Sequence, residues 1–194
     1  MTRIGLISDT HGYLDEAVFE HFKNCDEIWH AGDFGEAPSI SPAGGRNLED
    51  DCERNMPLIK KSYGDLFAEK FKKINKKEIV FRGVYGNIDD AEIRQTYPEK
   101  LFFTVENVNV FIIHIGGYPG RYSKGVKEEI IANKTQLFIS GHSHILKIMY
   151  DQKLQCLHMN AGAAGKQGWH KIRTLIRFTI DGKDMKDCKV IELN

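Results

Sequence analysis

The chain of 194 residues is long enough for one domain with a full core, or one domain with an inserted excursion. Its 41% apolar and 28% charged content is ordinary for a globular protein. Basic and acidic residues balance at 27 each, so no overall field recruits nucleic acid or an anionic membrane. Any anion chemistry therefore has to come from a local site. Cys25, Cys52, Cys156 and Cys188 are widely spaced with no CxxC pair, which fits neither a disulfide framework nor a zinc knuckle. They read as reduced intracellular thiols. A first strand from about residue 3 leaves no room for a signal peptide, and no apolar stretch approaches the ~20 residues of a membrane span. The expected location is cytoplasmic.

Ile4-Gly5-Leu6-Ile7 reads as a buried strand and leads into Asp9 and His11. Residues 15–23, with Ala17, Val18 and Phe22, predict a short amphipathic helix. Ile28-Trp29-His30-Ala31 forms a second strand leading into Gly32-Asp33. A right-handed crossover makes it parallel to the first and brings Asp9 and Asp33 to one sheet edge. An excursion then spans about 35–77. Residues 35–57 are rich in Gly, Pro, Ser, Asp and Asn and read as loop, either a lid or subunit contact or simply a mobile surface loop. Leu58, Ile59, Leu66, Phe67 and Phe71 predict a crossover helix over 58–75.

Ile79-Val80-Phe81 is a third strand leading, past Tyr85, into Gly86-Asn87. Asp89 either braces the nearby site or caps a short helix over Ala91–Thr96. Beyond Leu101 the pattern is mainly of strands: 101–105, 108–113, 137–140, 145–150, 154–160, 172–180 and 186–192, with one helix at about 124–133. Turns at Asp151-Gln152 and Asp181-Gly182 suggest a second, largely antiparallel sheet. Within this half, Val110-Phe111-Ile112-Ile113 leads into His114, and Leu137-Phe138-Ile139 into Gly141-His142-Ser143-His144. The expected architecture is two sheets face to face with helices outside, in a single domain over 1–194.

Asp9, His11, Asp33, Asn87, His114, His142 and His144 thus stand at five strand ends, where α/β folds place their sites. Each motif alone is weak, and a lone His in an apolar run is more often a hydrogen-bonded core residue. Together and in this order they predict a metal centre. The absence of thiolate argues against a structural zinc or iron–sulfur site. Imidazole selects transition ions over calcium and magnesium. Seven ligands are too many for one ion with an open position, and suit two ions about 3.5–4 Å apart sharing a carboxylate. Four positive charges against two aspartates leave a site that attracts an anion, so phosphoester hydrolysis is the leading chemistry. His21, His30 and His158 match no motif and read as structural.

The blocks Asp9-x-His11, Gly32-Asp33, Gly86-Asn87-Ile88-Asp89, His114 with Gly116-Gly117, and Gly141-His142-Ser143-His144 resemble those of the calcineurin-like metallophosphoesterases. The compact length is similar to the small bacterial and archaeal phosphodiesterase branch, whose eukaryotic relative is a retromer scaffold subunit. The resemblance implies a four-layer α/β/β/α sandwich of two facing mixed β-sheets flanked by helices. It implies that Asp9, His11 and His144 hold one divalent ion and Asn87, His114 and His142 the other, with Asp33 bridging. Asp33, Asn87 and His114 would carry the catalysis around a metal-bridging hydroxide. Manganese is the first expectation for the ions, with nickel, iron, zinc or cobalt as alternatives.

Asn160-Ala161-Gly162-Ala163 sits where many relatives carry an Asn-Pro-Gly-Ser turn, so its backbone is expected near the pocket. Large phosphoprotein phosphatases place a proton-donating histidine after the Gly-Asn asparagine. Here that residue is Ile88, so protonation of the leaving group falls to water, to His170, to another pocket residue, or to nothing. Diester or activated substrates are therefore expected ahead of alkyl monoesters. Arg46, Arg54 and Arg121 are candidate phosphate clamps, each more readily read as a solvated surface charge. The expected partner is a small phosphate-ester substrate, with neither nucleic acid nor membrane, and self-association is left open. The alternative is a non-catalytic protein-interaction scaffold on the same fold.

Overall fold

The computed structural model describes residues 1–35 and 62–193. In chain order the elements are β1 (Thr2–Ile7), α1 (Glu16–His21), β2 (Glu27–His30), α2 (Tyr63–Asn75), β3 (Val80–Gly83), α3 (Ala91–Thr96), β4 (Lys100–Val105), β5 (Val108–Ile113), β6 (Gly117–Tyr118), β7 (Arg121–Tyr122), α4 (Val126–Ala132), β8 (Leu137–Ile139), β9 (Leu146–Asp151), β10 (Cys156–Ala161), β11 (Arg173–Asp181) and β12 (Asp184–Leu193). One five-stranded sheet has the order β12-β11-β1-β2-β3 and the other β4-β5-β8-β10-β9. In the first, β1, β2 and β3 are parallel while β11 and β12 run antiparallel. In the second, β5, β8 and β10 are parallel, and β4 and β9 close the edges antiparallel. Both sheets are mixed.

Side-chain alternation sorts the residues into layers. From β1, Ile4 and Leu6 point between the sheets and Ile7 points out. From β5, Val108, Val110 and Ile112 meet them, while Phe111 and Ile113 face the opposite way. Trp29 fills the middle of this inner core, edge-on to Phe103 and Phe178. Val18, Phe19, Phe67 and Phe71 of α1 and α2 cover the outer face of the first sheet. Val126 and Ile130 of α4 cover the second. The result is the expected α/β/β/α sandwich.

Local signals set the helix ends. Asp15 caps α1 by accepting the Ala17 N–H. Ser62 and Asp65 form a reciprocal capping box at the start of α2, and Lys76 ends it in the left-handed region. The predicted 58–75 helix therefore starts at Tyr63 as far as it is described; residues 58–61 lie outside the described residues. So do residues 36–57 of the predicted loop, with Arg46 and Arg54. At the far end of β1, Asp26 accepts from the Arg3 backbone and guanidinium and from Lys77. Those bonds, led by Arg3, hold its carboxyl well below the usual range.

Two expectations need correcting. The second sheet is not largely antiparallel, because its three central strands are parallel. And 172–180 with 186–192 do not belong to it: as β11 and β12 they return to the first sheet beside β1. The reason is visible in β11, whose Leu175, Ile176, Phe178 and Ile180 are buried on both faces, as a strand inside a covered sheet requires. Among the described residues Cys25, Cys156 and Cys188 are free thiols. Burial pushes Cys25 and Cys156 up to about 12, so neither is a nucleophile at neutral pH. Among the same residues no helix is long and apolar enough to cross a membrane.

Candidate metal centre

The parallel strands of both sheets deliver their carboxyl ends to one edge. Beyond β1 and β2 the ladder continues as Asp9 N–H to Gly32 O (3.0 Å) and His11 N–H to Asp33 O (3.1 Å), locking the first two loops together. The Gly141 N–H donates to His114 O (2.9 Å) and does the same for the second sheet. His142 N–H then reaches across the sandwich to Asp9 Oδ2 (3.2 Å). Asp9, His11, Asp33, His142 and His144 all adopt left-handed backbone, with φ of 53, 48, 55, 67 and 56°. Such angles are uncommon for side-chain-bearing residues and cluster at functional sites, where packing holds the strain.

The side chains converge as two groups, Asp9 with His11 and His144, and Asp33 with His114 and His142. In each, the potential donor atoms lie within 4.8 Å of one another. His11 Nε2 and His144 Nε2 are 3.1 Å apart, and His144 Nε2 is 3.2 Å from Asp9 Oδ1. His114 Nε2 lies 3.1 Å from Asp33 Oδ2 and 3.2 Å from Asn87 Oδ1. All seven residues expected at the centre thus share one edge.

Their neighbours show what this arrangement fits. The Ser8 hydroxyl (2.5 Å) and the His142 N–H both donate to Asp9 Oδ2. Asp9 Oδ1 is left wholly buried without a well-directed hydrogen bond, a costly state for a carboxylate. His114 Nδ1 sits 2.7 Å from the Ala31 carbonyl, so it must donate there. When the ring is neutral, its Nε2 lone pair then faces the oxygens of Asp33 and Asn87. Acceptors aimed at one point repel unless a cation lies among them, and a carbonyl-bonded imidazole is the usual form of a metal ligand. Asp9 raises the affinity of His144 for a proton, and Asp33 raises that of His114 against the opposing effect of burial. Burial holds His11 below its ordinary value. The Asp33 carboxyl is held down, because His114 and the Ile88 N–H outweigh its burial. The donor set fits divalent transition ions.

Several residues brace the site through hydrogen bonds that a single sequence does not reveal. His30 is buried and kept neutral, accepting the Gly32 N–H at Nδ1 and reaching Thr10 from Nε2 (3.0 Å), so it ties the Asp9 and Asp33 loops together. Asn160 donates to Gly141 O (2.8 Å) and to Ser143 Oγ (3.2 Å), fixing the loop that carries His142 and His144. Its contribution is thus a side-chain staple. Arg94 holds the Asn87 turn through the carbonyls of Asp89, Gly86 and Asn87. His158, deep in the second sheet, bonds Ser140 and is structural.

For Asp89 the structure separates two alternatives. The cap of α3 is Asp90, which accepts the Ile93 N–H. Asp89 is buried, and its two oxygens accept Gly35 N–H (3.0 Å) and Gly86 N–H (2.7 Å), joining the loops behind Asp33 and Asn87. Gly86 has to be glycine, since a Cβ there would lie 2.0 Å from Asp33 Oδ1. Arg121 lies exposed in the β6–β7 hairpin. The imidazole of His170 stands edge-on to His144, centroids 5.2 Å apart, with Nε2 bonded to Gly165 O (3.0 Å).

A model of the calcineurin-like phosphoesterase superfamily domain matches residues 2–47 and 62–183, and the chain belongs to that superfamily. No curated protein sequence matches it. Among solved structures it is similar to Vps29 of Chaetomium thermophilum, at 11% identity over 100% of this chain and 97% of that one, with a TM-score of 0.62. A Thermotoga maritima protein is 19% identical over the full length of both chains, with a TM-score of 0.59. Vps29 of Entamoeba histolytica, complexed with zinc, is 12% identical over 99% of each chain, also at 0.59. At these identities the likeness is one of fold.

Proposed function

We infer that the protein is a dinuclear metal-dependent phosphoesterase, of the small bacterial and archaeal phosphodiesterase kind, that hydrolyses phosphodiesters in preference to alkyl monoesters. The observation that carries this reading is Asp9 Oδ1, buried without a well-directed hydrogen bond and facing the imidazole nitrogens of His144 and His114. Asp9, His11 and His144 would hold one ion, and Asn87, His114 and His142 the other, with Asp33 shared between them. Two divalent cations held there would supply a nucleophilic water at neutral pH and offset charge on the phosphoryl oxygens. Manganese is our first choice, given a donor set of imidazole, carboxylate and amide oxygen.

The protein's own residues define what else the reaction has. The strained loop backbone at Asp9, His11, Asp33, His142 and His144 pre-orients the ligands, so little reorganisation is needed when substrate arrives. The position after Asn87, where a proton-donating histidine could stand, is Ile88, which cannot donate. His170 is poorly arranged to act, with Nε2 bonded to Gly165 O and Nδ1 buried. Esters with good leaving groups therefore suit this site. A non-catalytic scaffold would have no need of seven ligand-competent side chains gathered at one edge.

Metal-stripped protein refilled with manganese is expected to hydrolyse bis-p-nitrophenyl phosphate with a kcat/KM at least about tenfold above that for a simple alkyl phosphate monoester. Equal or reversed preference would contradict the diesterase assignment. Folded, metal-loaded protein that turned over neither ester would remove the hydrolase reading.

A further inference from the structure

Trp169 exposes its entire side chain, at 101% relative exposure, whereas Trp29 is fully buried. The loop carrying it is nevertheless fastened to the metal centre at both ends. The Gly165 N–H donates to Asp9 O (3.0 Å), and the His170 ring packs against His144. Between them Gly168, at φ +120°, lies so close to His144 that a Cβ would fall 2.3 Å from its Nδ1. Trp169 thus stands between two residues that rest on the imidazole of a candidate ligand. Three more exposed isoleucines each follow a candidate ligand directly: Ile88 after Asn87, Ile115 after His114 and Ile145 after His144. The loops that supply polar ligands inward therefore present large apolar side chains outward.

We propose that Trp169 is the platform on which the organic group of the ester stacks, and that the substrates are phosphate esters of planar groups, aryl or nucleoside. This rests on the phosphoesterase reading above and specifies its substrate class. A free indole face recognises any flat π-system, and stacking on one aromatic side chain contributes about 1–3 kcal/mol per base. Aliphatic neighbours add contact without hydrogen-bond selectivity, so the platform favours planarity over any one base or ring substituent. A membrane surface is a poorer occupant. The loop's Lys166, though exposed, is engaged over the Tyr13 ring, 4.2 Å from its centroid, and so is less free to meet headgroups.

The test compares two non-hydrolysable ligands of like charge, phenylphosphonate and methylphosphonate, binding to the manganese-loaded full chain by calorimetry. Wild type is expected to bind phenylphosphonate on the order of tenfold more tightly. Trp169→Ala should abolish the preference while methylphosphonate affinity and metal content stay unchanged, and Trp169→Phe should keep most of it. If methylphosphonate binds but the phenyl preference is the same in wild type and Trp169→Ala, the platform is overturned and the phosphoesterase reading stands. If neither phosphonate binds the loaded protein, both fall.

Discussion

Asp33→Asn is expected to lower kcat/KM for bis-p-nitrophenyl phosphate by about a thousand-fold or more, while leaving the fold intact. Asp33 is one of only two carboxylates in the candidate ligand set, and it stands in the group with His114 and His142. Its Oδ2 is 3.1 Å from His114 Nε2, while its Oδ1 accepts the Ile88 N–H. Gly86 packs directly against it, so the side chain cannot swing away. The isosteric amide keeps the volume and the Ile88 hydrogen bond, yet removes the negative charge that two cations would share. Bound ions contribute several kcal/mol to transition-state stabilisation, and a loss of about 4 kcal/mol is a thousand-fold in rate. Steady-state kinetics with metal analysis and a thermal melt on the same sample checks the point. Activity within tenfold of wild type, at full metal content, would show that Asp33 does not hold the ions together.

Removing the metal should reveal the second large effect, in stability. Ligand binding to the native state alone adds about 2.7 kcal/mol at a hundredfold excess over Kd, and about 4 kcal/mol at a thousandfold. Two ions would therefore raise the unfolding free energy of the wild type by roughly 5–8 kcal/mol under such conditions. Asp9→Asn should lose about half of that increment, because the Asp9, His11 and His144 group would no longer hold its ion. The metal-free variant should differ from the metal-free wild type by no more than about 1 kcal/mol. The reason is local: the amide oxygen can still accept from Ser8 and His142, while Oδ1, the atom given up, makes no well-directed hydrogen bond. Urea titrations with and without chelator give all four values. An undiminished metal increment in Asp9→Asn would contradict the ligand assignment, and a large loss in the metal-free state would give Asp9 a structural role instead.

Much of the fold was legible because buried parallel strands have a plain signature. Ile4-Gly5-Leu6-Ile7 and Val110-Phe111-Ile112-Ile113 are apolar on both faces and end in polar residues, which gives the strand, its burial and its functional end together. Sheet membership was harder. The hairpin of β11 and β12 looks locally like the strands before it, and only contacts spanning the whole chain, such as Ile4 opposite Phe178, place it in the first sheet. The choice at Asp89 and Asp90 turned on one residue of register. Two adjacent carboxylates precede the helix, and sequence cannot tell which faces the helix N-terminus and which faces the loops.

The candidate ligands could be read because the chemistry of metals restricts which residue types appear, and strand ends restrict where. Ser8, His30, Asn160 and Arg94 are different. Their parts consist of hydrogen bonds to an adjacent carboxylate, to loop backbone or to carbonyls of a neighbouring turn, so any polar type could have served from sequence alone. Trp169 was equally silent. An aromatic in a Gly- and Lys-bearing segment carries no marker of exposure, and only the seating of Gly168 on His144 ties its loop to a candidate ligand.

The central claim is that one edge of the sandwich, where the two sheets meet, holds two ions between these side chains. An anomalous difference map from a crystal of the manganese-loaded protein tests it most directly. The expected result is two peaks about 3.5–4 Å apart, one among Asp9, His11 and His144 and one among Asn87, His114 and His142, with Asp33 touching both. A single peak, or manganese bound away from these residues, would contradict it.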